Sequence, residues 1–348
     1  MTETLSDCRF CSIVSKANGE DPIGSAPVAD GFLIVEIPQP WSAQLFSEPQ
    51  IQPILAWVKT LALRGIRIRP IAIAPDREHS QSGDRRVLFF SRSAEFFARF
   101  DRQEYLVPEA EVASLAIALL KSEGLDEFAA YRQVDRPVRD ILVCTHGNVD
   151  AACARFGFPI YDKLRKQYAD SGLRVWRCTH FGGHQYAPTL LDLPSGRYWA
   201  HLEAETLDTL VNQRGSPDAL RSHYRGWAGL GKFEQIAERE IWMREGWAWL
   251  DYPKRGQIVR LGEGWLKGSL RSLLQLVPSK RLRFWLNHTQ QDAPWATVRI
   301  EFQRPDGSIG RYEARVEISG QILTAIRSAT QMPLVPVNQY HVRDLRLE

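Results

Sequence analysis

Residues 140–201 read DILVCTHGNVDAACARFGFPIYDKLRKQYADSGLRVWRCTHFGGHQYAPTLLDLPSGRYWAH, and the organisation of the chain follows from this stretch. Its first apolar run, Ile141 to Val143, is β-prone and ends directly on Cys144, after which the turn residues Gly147, Asn148 and Asp150 break the pattern. A thiol is thereby placed at the end of a buried strand. Pro159 can open a helix whose apolar positions Ile160, Leu164 and Tyr168 recur every fourth residue, with Gly172 placed to cap its end. A second strand, Leu173 to Trp176, delivers Cys178 and His180. Gly182 and Gly183 disfavour a helix between His180 and His184, so this His-x3-His pair reads as a flexible loop whose backbone can come close to a ligand.

The stretch therefore holds two metal-type pairs, Cys144 with Cys153 and His180 with His184. Thiolate and imidazole ligate the iron of [2Fe-2S] centres, and they equally suit tetrahedral zinc, so ligand type alone leaves both open. A Cys-x8-Cys pair without the histidines would say little, because free cysteine packs as a small hydrophobe. A thiol redox site of the Cys-x-x-Cys kind is disfavoured, since Gly147 stands three residues after Cys144. Cys178 and His146, beside these pairs in sequence, read as packed or exposed bystanders. Asp150 and Asp192 read as turn residues, and the sequence establishes no carboxylate pair of the kind that sugar hydrolysis uses.

Three segments carry a resemblance: GEDPIGSAPVADGFLIVEIPQPW from residue 19, CTHGNVDAACARFGFPIY from residue 144, and VWRCTHFGGHQYAPTLLDLPSGRYW from residue 175. In this order they resemble the signature stretches of the sucrase/ferredoxin-like family, over roughly the first two thirds of the chain. The resemblance implies a thioredoxin-like [2Fe-2S] ferredoxin domain with Cys144, Cys153, His180 and His184 as cofactor and metal ligands. The two histidines stand where ordinary thioredoxin-like ferredoxins carry a Cys-x3-Cys pair. Two thiolates leave an oxidised cluster neutral where four would leave it doubly negative, so a raised potential and proton coupling through the imidazoles are expected. The implied role is an electron carrier served by a redox partner protein, not a catalyst of substrate chemistry. The alternative is a zinc-binding Cys2His2 interaction module with a basic docking domain.

The remaining composition bounds the reading. A chain of 348 residues with 44% hydrophobic content forms two or three domains. No apolar stretch is long enough to span a bilayer, and the opening MTETLSDCRF lacks the features of a secretory signal, so a cytoplasmic protein is expected. Five cysteines, two of them better used as ligands than as disulfide partners, fit reducing conditions. A net charge of +3 is too small to argue for nucleic acid.

The expected fold class is α/β: tandem thioredoxin-like units, the first degenerate and the second cluster-binding, followed by a smaller α+β domain. Residues 1–24 form an N-terminal tail in which Cys8 and Cys11 read as an exposed, functionally minor pair, since a closed zinc site needs four ligands. In the degenerate unit, 25–135, a strand at Phe32 to Ile37 precedes a helix with Ile51, Ile54, Leu55, Val58 and Leu61 on one face. Strands at Ile66 to Ile73 and Arg86 to Phe90 follow, then a helix opened by Pro108. GIRIRPIAI answers GLRVWRCTH in the cluster-binding unit, 136–215, which makes an internal duplication plausible. Residues 121–137 read as the linker. In the accessory region, 216–348, a helix with Phe233, Ile236, Ala237 and Ile241 precedes a tryptophan-rich stretch read as core. The runs RLRFWLNHT, ATVRIEFQ and LVPVNQYHVRDLRLE read as strands, with a hairpin at Asp306-Gly307. That region carries 20 basic against 14 acidic residues, which a docking face or solvated arginines would explain equally.

Overall fold

The computed structural model describes residues 9–134, 137–170, 172–262, 293–329 and 333–348. Strands that are apolar along their whole length, such as FLIV at 32–35 and ILVC at 141–144, must be covered on both faces. They lie at the middle of a nine-stranded mixed sheet. Its first half is built by β1 (Gly31–Glu36), α2 (Gln52–Leu63, following α1, Cys11–Ala17), β2 (Ile68–Ile73), β3 (Asp84–Ser91), β4 (Asp101–Pro108) and α3 (Val112–Lys121). The second half is built by β5 (Arg139–Cys144), α4 (Ala151–Gln167), β6 (Leu173–Cys178), β7 (Leu190–Leu193), β8 (Arg197–Trp199) and α5 (Leu207–Asn212).

The strand order β4-β3-β1-β2-β6-β5-β7-β8 is the same in each half when read from its outer edge inward. In each, the first and second strands run parallel, and the third and fourth are added antiparallel. The halves meet where β2 pairs antiparallel with β6 at Ile73 and Cys178. Thr179 closes this seam: its N–H donates to the Ala72 carbonyl at 2.9 Å, and its hydroxyl accepts from the Ala72 N–H at 2.9 Å. Buried charges bridge the halves as well. The Arg174 guanidinium donates to both Asp140 oxygens, at 2.8 and 3.0 Å, and to Glu104 of β4 at 2.8 Å, while Trp176 Nε1 donates to Asp140 at 2.8 Å.

β9 (Tyr224–Trp227) extends the large sheet beside β8. A separate antiparallel sheet follows, in the order β10 (Lys254–Leu261), β11 (Trp295–Gln303), β12 (Ile309–Thr324) and β13 (Val335–Leu347). β11 alternates buried and part-exposed residues, the period-two pattern of a sheet covered on one face. The covering element is α6 (Lys232–Glu245), which packs against β9 on one side and β11 to β13 on the other. Trp242 and Trp249 are fully buried in the core there. Gly307 takes φ +84° in the turn between β11 and β12.

Several expectations change. The helix assigned to start at Pro159 starts at Ala151, and Pro159 lies inside it. Asp150, read as a turn residue, is the N-cap: its side chain accepts from the Ala152 N–H at 2.9 Å, which outranks the start signal of a proline eight residues on. β4 and β8 were not anticipated as separate strands. The 121–137 segment contains a short 3₁₀ helix, Leu125–Tyr131, that buries Phe128. The RLRFWLNHT run lies outside the described residues. Among the described residues no helix is long and apolar enough to cross a membrane.

Candidate metal centre

Cys144 ends β5 and is buried at the centre of the sheet, in register with Cys178 of β6. Cys153 sits in the first turn of α4, so the cap at Asp150 fixes where its thiol points. Gly157, one turn further on, lets the helix lie directly on the strand: a Cβ there would stand 2.1 Å from the Cys144 carbonyl oxygen. The two thiols share a hydrogen bond, and that bond, together with His180 and against the penalty of burial, holds Cys144 well below the ordinary thiol range. The same proton-sharing, reinforced by burial, drives Cys153 in the opposite direction.

His180 follows β6, and its Nδ1 lies 3.9 Å from Cys144 Sγ and 3.7 Å from Cys153 Sγ. The ligand atoms of Cys144, Cys153 and His180 all lie within 4.8 Å of one another, close enough to hold a metal ion. A tetrahedral ion with bonds of about 2.3 Å to sulfur would separate two thiolates by about 3.8 Å, inside the 4.8 Å that spans the three donor atoms. The HFGGH loop is pinned, not open. Arg225, buried, donates to the Gly182 carbonyl at 2.9 Å, Arg69 donates to the Phe181 carbonyl at 2.9 Å, and Phe181 is buried. Gly183 is required at φ +83°, where a Cβ would stand 2.5 Å from the Arg225 guanidinium. The glycines admit an arginine, with backbone and side chain interlocked.

His184 opens a 3₁₀ turn, and its ring centroid lies 5.4 Å from that of His180. Its Nδ1 lies 3.3 Å from Asp150 Oδ2 and 3.3 Å from Cys11 Sγ. Cys11, Asp150 and His184 form a second group whose ligand atoms lie within 4.8 Å of one another. The four sequence-derived residues are thus neighbours divided between two clusters, three in one and His184 in the other.

Cys11 corrects an expectation. It is fully buried at the start of α1, and burial pushes its thiol up to about 12. Cys8 lies outside the described residues. No local signal marks Cys11, because its neighbours come from residues 139 and more positions away. Asp150 was detectable as the cap of DAACARF. His146 is buried: its Nδ1 lies 3.4 Å from the His180 backbone nitrogen, Nε2 lies 3.0 Å from the Ser42 carbonyl, and Trp41 packs on the ring edge-on. It ties the PQPW segment to the site. Cys178 is buried, and burial raises its thiol well above the usual range, as for a packed hydrophobe.

A family model described as sucrase/ferredoxin-like matches residues 22–226, which contain all four sequence-derived ligand candidates. No curated protein and no solved structure matches the chain.

Proposed function

The chain belongs to the sucrase/ferredoxin-like family, and from that premise we propose that it is an electron-transfer protein carrying one [2Fe-2S] cluster on Cys144, Cys153, His180 and His184. The observation that carries this reading is the convergence of Cys144, Cys153 and His180, two thiols and an imidazole, at the buried centre of the large sheet. Soft sulfur with imidazole is a donor set that iron–sulfur centres use. When bound, the cluster would supply reversible one-electron chemistry. The chain's own contribution is to hold the Cys144 and Cys153 sulfurs side by side, to fix His180 through the interlocked glycine loop, and to keep His184 beside it. The repeated strand order of the two halves supports a pair of thioredoxin-like units, the second bearing the centre and the first serving as scaffold. A redox partner protein is part of this proposal, since a carrier needs a donor and an acceptor.

One observation favours a second reading. Three donors within 4.8 Å match the coordination sphere of a single ion, which suits zinc in a structural site. Anaerobic purification separates the two. Equal iron and acid-labile sulfide, with an electron paramagnetic resonance signal on reduction, is the expected result; a colourless protein with stoichiometric zinc would overturn the cluster.

A further inference from the structure

An imidazole that binds metal through one nitrogen has a second nitrogen to satisfy, and the partner of that second nitrogen sets the orientation of the ring. For His184 the structure offers a specific partner. Asp150 Oδ2 stands 3.3 Å from Nδ1, and the carboxylate is buried. Capping α4 requires only one of its oxygens, Oδ1, to accept from the Ala152 N–H. The other interactions lie outside the needs of a cap. Ser328, between β12 and β13, donates its N–H to Oδ2 at 2.9 Å and its hydroxyl to Oδ1 at 2.6 Å. The Cys11 N–H donates to that same hydroxyl oxygen at 3.2 Å, and Cys11 Sγ lies 3.8 and 3.9 Å from the two carboxylate oxygens.

We propose that Asp150 is the positioning residue for His184, that Ser328 and Cys11 hold its carboxylate in place, and that the metal-facing nitrogen of His184 is therefore Nε2. The inference rests on the reading of His184 as a ligand. Three segments remote in sequence, α1, the start of α4 and the chain after β12, meet at the Asp150 carboxylate that faces this ring nitrogen. Such a carboxylate does two things. It fixes the tautomer and angle of the ring, and it places a negative charge beside the ligand, which opposes reduction of the metal. The C-terminal sheet thereby reaches the centre through Ser328, although its residues lie beyond the family match at 22–226. The same three groups could instead be a ligand set: tetrahedral zinc would place sulfur and nitrogen about 3.5 Å apart, near the 3.3 Å between Cys11 and His184. Asp150's hydrogen bonds to Ser328 and Ala152 favour the positioning role, since they orient the carboxylate without any metal.

The test uses the full chain, purified anaerobically, with Asp150→Asn and Ser328→Ala. Asparagine keeps an oxygen for the helix cap at Ala152 but places an NH2 where Oδ2 faces both Nδ1 and the Ser328 N–H, so the change removes the charge and those two acceptor contacts together. Asp150→Asn is expected to retain iron and sulfide, to lose them to a chelator about tenfold faster, and to favour the reduced state about tenfold, about 59 mV upward for one electron. Ser328→Ala should move both readouts in the same direction by less, and it keeps the test decisive if Asp150→Asn misfolds. Wild-type potential and chelator kinetics in cluster-loaded variants would overturn the inference while leaving the cluster reading intact. Absence of iron and sulfide from the wild type would overturn that reading and the inference with it. Stoichiometric zinc lost in Cys11→Ser would make the three groups ligands and overturn the positioning role.

Discussion

Cys144 and Cys153 are inequivalent: the hydrogen bond between them lowers Cys144, with His180 acting in the same direction, and raises Cys153. In the proposed cluster both sulfurs would bind as thiolates and balance ferric charge, so Cys144→Ser and Cys153→Ser should each abolish iron and sulfide retention. Cys178→Ala should not, although Cys178 is the register partner of Cys144, because its thiol is packed and protonated and belongs to neither donor group. Iron analysis and visible spectra of the three variants check this. At this scale the four ligand candidates could be picked out because thiol and imidazole are metal-ligating groups wherever they stand, and the structure brings three of them together. Cys11 was not, since what makes it notable is the distance to His184, which no window of sequence contains.

α4 shows why an element's limits matter to a site. Cys153 was placed before the helix when Pro159 was taken as its start; with Asp150 as cap, the thiol sits in the first turn and its direction is fixed by the helix axis. Gly157 then sets the distance between helix and strand. In Gly157→Ala the added methyl meets the Cys144 carbonyl, a backbone atom that cannot swing aside, and the helix must retreat. We expect a loss of stability of more than about 3 kcal/mol, beyond ordinary overpacking. Because the retreat carries Cys153 away from Cys144, metal content should fall in parallel. Denaturant unfolding with metal analysis of the refolded variant would show it, and an unchanged midpoint would mean that the contact is softer than the structure has it. The strands were read from their apolar runs; the caps, which depend on a single side chain, were harder to see.

For the whole molecule, the repeat of strand order was legible only faintly, through GIRIRPIAI and GLRVWRCTH, which became β2 and β6, the two strands that meet at the seam. The manner of joining was not legible, because one register pair, the Thr179 hydrogen bonds to Ala72 and a buried charge network carry it. Arg174→Met should expose that dependence: it leaves Asp140 and Glu104 with less countercharge in the core, a loss of about 3–5 kcal/mol. Thermal or denaturant unfolding reads this directly, and a loss below about 1 kcal/mol would show that Arg86 and Arg102, which also pair with Glu104, suffice.

Acid sensitivity also belongs to the whole molecule, and His201 is its clearest source. The ring is 6% exposed, lies 3.5 Å from Ser15 Oγ through Nε2, and packs edge-on against Tyr186. Burial, followed by the charges of Lys16 and His223, pushes its pKa down to about 3, with Arg225 acting in the same direction and a backbone hydrogen bond at Ala187 opposing. In the unfolded chain the same group titrates near 6.5. Between these values the unfolded state binds the extra proton, so stability rises with pH and falls on acidification, by about 1.4 kcal/mol per unit once well below 6.5. His223, buried and also lowered chiefly by burial, adds to the same trend. Going from pH 7 to pH 5, His201 alone should remove about 2 kcal/mol. His201→Asn is the informative variant, because position 201 has φ +48°, a conformation that asparagine accepts. Its stability at pH 7 is lower than wild type through lost packing, but its loss between pH 7 and pH 5 should be smaller by about 2 kcal/mol. Urea unfolding at the two pH values measures the difference, and equal losses in both proteins would mean that His201 reaches water before the fold gives way.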